Sequence, residues 1–257
     1  MYVPKRERPP DADERLGRWI LGGVVLVAVA VGAWLWQRNK NGDETPPVAE
    51  QPVATAPKVK NPIETPAGTD ASLSATDEAA KLIGAENFET LFVPDDFVRK
   101  VVATVDNLAR PKIASRMNPA KPPAGTVATV GNDTEIVLGA ANYARYAQWV
   151  EMVDALDADT TVELYRRLYP QFQAAYESLG NPDGYFNDRV IEVLDHLIAA
   201  PVAPDTIVLT RPNVLYEFAD PALEAESAGR KLLLRMGPGN ASRVKMKLRD
   251  IRDRIAS

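Results

Sequence analysis

The apolar positions of the chain fall into three regimes. Trp19 to Trp36 are eighteen consecutive residues without a charge or a side-chain amide. At 1.5 Å per residue a helix of that length spans roughly 27 Å, close to the hydrocarbon thickness of a bilayer, which predicts a transmembrane helix over 19–36. Trp19 at one end and Trp34 and Trp36 at the other suit the membrane interface, where indole keeps its ring in lipid and its N–H in water. From Gln37 to Ser72 the periodicity vanishes, and Pro46, Pro47, Pro52, Pro57, Pro62 and Pro66 alternate with small and polar residues. This composition predicts a disordered tether, reaching on the order of 110 Å as polyproline II and about 35 Å as a coil. Residues 73–257 then read as one mainly α domain with a small β-hairpin.

Within that domain the spacing predicts a helix from Asp77 to Phe92. A second should open at Pro94 with Asp95 and Asp96 at its positive dipole end and carry Phe97, Val98, Val101, Val102, Val105 and Leu108 on one stripe. Pro111 to Pro123 reads as an irregular loop, and Thr126–Val130 with Glu135–Leu138 reads as a hairpin around Gly131-Asn132-Asp133. Helices are expected over 142–156, 159–179 and 187–199. The second of these carries Tyr165, Leu168, Tyr169, Phe172, Tyr176 and Leu179 as a core stripe, with Pro170 inside it. Asp220-Pro221 should start a helix running to Met236, stopped by Gly237-Pro238-Gly239. A final helix over 241–255 presents Val244, Leu248, Ile251 and Ile255 at heptad-like spacing.

Charge fixes the orientation. Lys5, Arg6, Arg8, Arg15 and Arg18 precede the apolar run, whereas only Arg38 and Lys40 follow it closely. The positive-inside bias therefore puts residues 1–18 in the cytoplasm and the domain on the far side of the membrane, anchored by one pass. Ala28-Val29-Ala30 also has the spacing of a signal-peptidase site, but cleavage there would leave an apolar start, Val31 to Trp36, on the mature chain. Ala28 and Gly32 form a small-xxx-small pair through which two helices could associate weakly.

The overall charge of −5 gives no bulk attraction to nucleic acid, so none is expected as a partner. Residues 73–228 carry 12 cations against 24 acids, while Gly229 onward carries nine cations against two acids. The basic tail is expected to lie on the acidic body, with docking to an anionic partner as the alternative.

With no cysteine and one histidine, thiolate metal sites, disulfides and most triads are excluded. His196 lies among Val190, Ile191, Val193, Leu194, Leu197 and Ile198 and reads as a packing residue. The turn Asn181-Pro182-Asp183-Gly184 lacks the terminal carboxylates of a calcium loop, since its first and twelfth positions fall on Leu179 and Val190. No metal or cofactor is expected. The carboxylate pairs Asp157 with Asp159 and Glu224 with Glu226 are the material for a glycan hydrolase, the alternative to a non-catalytic module.

The most distinctive stretches are Tyr216 to Glu224, containing Phe218-Ala219-Asp220-Pro221, and Lys231 to Asn240, containing Leu233-Leu234-Arg235-Met236-Gly237-Pro238. With Val105-Asp106-Asn107-Leu108-Ala109 and the helix from Leu164 to Gly180, they resemble the bacterial domain of unknown function 3014, over about residues 85–255. The resemblance implies a single-pass envelope protein of Gram-negative bacteria, anchored in the inner membrane with its domain in the periplasm, and no known activity. Asp220 is accounted for as a cap, whereas Tyr216, Glu217, Lys231, Arg235 and Asn240 form a polar cluster where a strand crosses a helix end; it reads first as a structural ion-pair network and second, with Asp220, as the candidate binding site. The expectation is a periplasmic binding or scaffold module for an envelope protein or polymer.

Overall fold

The computed structural model describes residues 59–66, 72–132 and 135–256. The expected cytoplasmic segment, the membrane helix and the tether up to residue 58 lie outside these residues. Among the described residues no helix is long and apolar enough to cross a membrane.

The domain is mostly helical. Its elements run α1 (Ala75–Ile83), α2 (Ala85–Leu91), α3 (Phe97–Leu108), β1 (Thr129–Gly131), β2 (Ile136–Leu138), α4 (Ala140–Ala144), α5 (Ala147–Ala155) and α6 (Ala158–Ser178). They continue with α7 (Phe186–Ile198), β3 (Val208–Thr210), β4 (Glu217–Phe218), α8 (Pro221–Glu224), α9 (Ala228–Met236) and α10 (Pro238–Ile255). Helices α3, α6 and α7 pack together, and α10 lies across α5, α6 and α7. The stripe on α6 is core, as its spacing predicts: Leu168, Tyr169, Phe172 and Tyr176 are buried with Val102 and Phe186.

Several expected elements are divided. The helix expected over 77–92 breaks at Gly84, whose φ of 85° and ψ of 138° end α1 and begin α2. The start signal at Pro94 is displaced to Phe97, because the preceding backbone is spent elsewhere. Phe92 bridges to Ala120, the Val93 N–H bonds to Pro119, and Asp96 takes a left-handed φ of 52° without capping through its side chain. The helix expected from Asn142 becomes α4 and α5, joined by tight three-residue turns at Arg145 and Tyr146. The one expected from Asp220 to Met236 becomes α8 and α9, because Ser227 caps the Arg230 N–H and restarts the helix there.

The expected hairpin forms, with Val130 opposite Val137, but it is half of a four-stranded antiparallel sheet in the order β1-β2-β3-β4. Strands of two or three residues are too short to leave an alternation in the sequence. Leu138, Ile207, Leu209 and Phe218 line its buried face against Leu234 of α9.

Residues 59–66, which composition assigns to the tether, are held against the N-terminus of α7. The Asp188 carboxylate accepts from the Lys60 N–H at 3.0 Å, the Asn61 N–H at 2.8 Å and the Asn61 side-chain amide at 2.9 Å. The fully buried Asn187 donates to the Asn61 carbonyl, and Tyr185 accepts from the Ile63 N–H. Replacing Asp188 with Ala should expose the bond after Lys60 to trypsin while the rest of the domain resists. Limited proteolysis followed by mass spectrometry reads this directly, and the unreplaced chain should be cut there far more slowly.

The joint between α9 and α10 leaves no room for a side chain. Gly237 has φ 86° and ψ 159°, a region almost restricted to glycine, and a Cβ on it would stand 2.6 Å from the Tyr143 ring. Gly237→Ala should lower stability by about 3 kcal/mol, whereas Gly239→Ala, which meets nothing within 4 Å, should be neutral or mildly stabilising. Denaturant titration of both variants checks the contrast.

Candidate functional site: an apolar groove under a proline ridge

The groove begins with the spacing of α5. Tyr146, Trp149, Val150 and Val153 recur at intervals of three and four, so they share one helix face. Val150 and Tyr146 are buried, while Trp149 and Val153 are half exposed. Leu232 and Met236 of α9 and Val244 of α10 form the facing wall, and Ala120, Pro122 and Pro123 form the third side. The groove is half open and its volume is about 420 Å³, within the ordinary range for small-ligand sites. Burial pushes the Tyr146 phenol above its usual pKa, with Arg145 and Arg235 opposing that shift.

Arg145 braces the proline wall. Arg145 donates to the carbonyls of Pro123, Ala124 and Gly125 at 3.2, 2.9 and 2.9 Å, and to the Asn142 side-chain oxygen at 2.8 Å. Asn142 is 1% exposed and ties this loop inward, since its amide donates to the Arg235 carbonyl at 2.8 Å. Trp149 is set edge-on to Phe92, with ring centroids 5.2 Å apart. On the other side of the ridge a second hollow of about 200 Å³ is lined by Thr90, Lys121, Arg145 and Gln148, and it shares Trp149 and both prolines with the groove.

The residues expected to form a binding cluster are only partly brought together. Arg235 lies over the Phe218 ring at 4.9 Å and donates to the Tyr216 carbonyl, while Lys231 donates to Glu224 at 2.7 Å. These groups lock β4 onto α9. Glu217 sits on β4 opposite Thr210, Asp220 caps α8 by accepting from the Ala222 N–H, and Arg211 covers the Tyr216 ring. Asn240 stands apart from the cluster: it donates to the carbonyls of Tyr143 and Met236 and secures the α9–α10 joint.

Sequence reasoning missed Glu224 as the hub of this cluster. Burial works to raise its pKa, but the bonds from Lys231 and the Phe218 N–H, with the fields of Lys231 and Arg235, outweigh it and hold it below the ordinary value. The other carboxylates considered for hydrolysis are also engaged. Asp157 caps α6 at the Thr160 N–H, Asp159 bonds Arg254, and Glu226 bonds Arg230. His196 accepts or donates to Ser227 at 2.8 Å, and burial first, then Arg230, lowers its pKa. Among the described residues no group of three or more His, Cys, Asp or Glu could hold a metal ion.

The tail settles onto the body as expected. Arg243 pairs with Asp154, Arg252 with Asp195 at 2.8 Å and Arg254 with Asp159 at 2.6 Å, while Lys245 and Lys247 donate to the carbonyls of Ala200 and Leu156. Within α10, Arg254 also donates to the Asp250 backbone carbonyl. The groove's own signal in the sequence was Trp149, the one tryptophan not spent on the apolar run, beside the Pro122-Pro123 pair.

Glu224→Gln should cost about 1–2 kcal/mol near neutral pH, because a charge-assisted bond to Lys231 is weakened at a partly exposed site. The folded pKa is depressed, so this contribution is present above the unfolded value of about 4.5 and is lost as pH falls through the folded value. Denaturant titrations of both proteins between neutral and acidic pH should converge at the acidic end.

A family model described as Protein of unknown function (DUF3014) matches residues 97–252, which include every helix wall of the groove and the whole of the β4–α9 cluster. No curated protein and no solved structure matches the chain. With well over half its length covered, the chain belongs to the DUF3014 family.

Proposed function

We propose that this protein is a single-pass inner-membrane protein whose helical domain stands in the periplasm and acts as a binding or scaffold module of the cell envelope. The observation that carries the binding role is the groove under Pro122 and Pro123. An exposed apolar concavity is costly to leave in water, and in a monomeric domain it marks a surface meant to be covered. The membrane side of the reading rests on the charge-free run from Trp19 to Trp36 and the five cations ahead of it. The proline-rich stretch between anchor and domain supplies reach, and the bonds of Asp188 to Lys60 and Asn61 define where that reach ends.

Two measurements test this. Protease should reach the domain when the outer membrane is permeabilised and not in intact cells; protection until lysis overturns the periplasmic placement. Capture of envelope components by the full chain should be lost with Leu232→Arg, a change at a rim position already 41% exposed and therefore tolerable to the fold. Capture that is indifferent to Leu232→Arg would remove the groove from the account.

A further inference from the structure

The groove offers few of the groups a peptide would need. Its amide and charged side chains are Asn118 and Lys121, its other polar side-chain atoms are the Tyr146 hydroxyl and the Trp149 indole N–H, and the Asn118 oxygen already accepts from the Ala120 N–H at 3.0 Å. A peptide laid along it would leave most of its amides without partners, each a substantial cost away from water. A chain of methylenes carries no such groups. A methylene fills about as much space as a water molecule, roughly 30 Å³ in the liquid, so the volume of about 420 Å³ holds about fourteen of them.

The far side of the ridge is the opposite in character. Lys121 and Arg145 stand over the second hollow beside Thr90 and Gln148. The hydrogen-bond acceptors of both cations are carbonyl oxygens and the Asn142 amide oxygen: Lys121 bonds the Glu89 carbonyl, and Arg145 bonds Pro123, Ala124, Gly125 and Asn142. No carboxylate neutralises either one among the contacts of the described residues. In a region with twice as many acids as cations, two such charges next to an apolar groove complement an anion. An apolar chamber and a cationic one that share Trp149, Lys121 and the proline pair match one molecule with a tail and a charged head.

Building on the reading of the groove as a binding surface, we propose that it takes a single-chain anionic amphiphile, a free fatty acid, with its acyl chain between α5 and α9 and its carboxylate facing Lys121. The full chain in lipid nanodiscs, exposed to a photoactivatable palmitate, should label peptides containing Trp149, Val153 and Leu232. A photoactivatable alcohol of the same chain length should label them less, and Lys121→Glu should reduce palmitate labelling about fivefold or more. Leu232→Arg should reduce labelling by both probes.

Equal labelling by acid and alcohol, or palmitate labelling unchanged in Lys121→Glu, overturns the anionic head. Preferential labelling by a photoactivatable lysophospholipid overturns the free acid. If neither probe labels the groove while envelope capture is still lost in Leu232→Arg, the lipid assignment is wrong and the binding module stands. If capture is indifferent as well, both fail.

Discussion

The seating of α10 across α5, α6 and α7 is the constraint on which the rest of the domain depends. Val244 and Leu248 join the cluster built on Tyr146, Val150 and Val193, and Ile255 is buried with Val162, Ile191 and Leu194. Burying a side chain such as Ile255 is worth about 1.5–3 kcal/mol, so this seam sets the stability of the arrangement. The cation–carboxylate pairs along the helix are solvent-screened, and they fix its register more than they hold it down. Residues 73–228 alone would carry a surplus of acids, and the cations of α10 relieve part of that self-repulsion.

The groove is a consequence of that seating. Gly237 lets α9 pass into α10 without an intervening loop, and its lack of a side chain admits the Tyr143 ring. The turn brings Leu232, Met236 and Val244 to face α5, and Asn240 ties the joint to Tyr143. Arg145, braced by Asn142, then holds the proline loop as the remaining wall. Two motifs that stand out in the sequence, Phe218-Ala219-Asp220-Pro221 and Leu233-Leu234-Arg235-Met236-Gly237-Pro238, thus serve the site indirectly, by locking the sheet to α9 and by shaping the joint that positions the groove.

What the sequence made legible follows from the length of each signal. The α6 stripe from Tyr165 to Leu179 spans about four turns, and the structure buries its centre as read. The charge asymmetry is a sum over residues 229–257, and the pairing it suggests is present in Arg243, Arg252 and Arg254. Signals carried by two or three residues misled where a distant backbone competed for the same groups. Pro94-Asp95-Asp96 resembles a helix start, yet the bridge of Phe92 to Ala120 delays α3. Strands β3 and β4 exist because Leu209 and Phe218 pair on a hydrophobic floor, a fact of tertiary packing with no local period. Of the predicted polar cluster, Arg235 and Lys231 meet β4 and α8, whereas Asn240 lies one turn past the helix joint and faces Tyr143. The groove itself is assembled from three helices and a loop, so only Trp149 and the proline pair could hint at it.

Native-state hydrogen exchange of the full chain tests the central role of α10 most directly. If its seating underlies the domain, the amides of Leu248 and Ile251 exchange with the same free energy as those of Val150 in α5 and Val193 in α7, as one cooperative unit. Exchange of α10 at a markedly lower free energy, with α5 and α7 still protected, would show that the helix is an addition to a domain that stands without it.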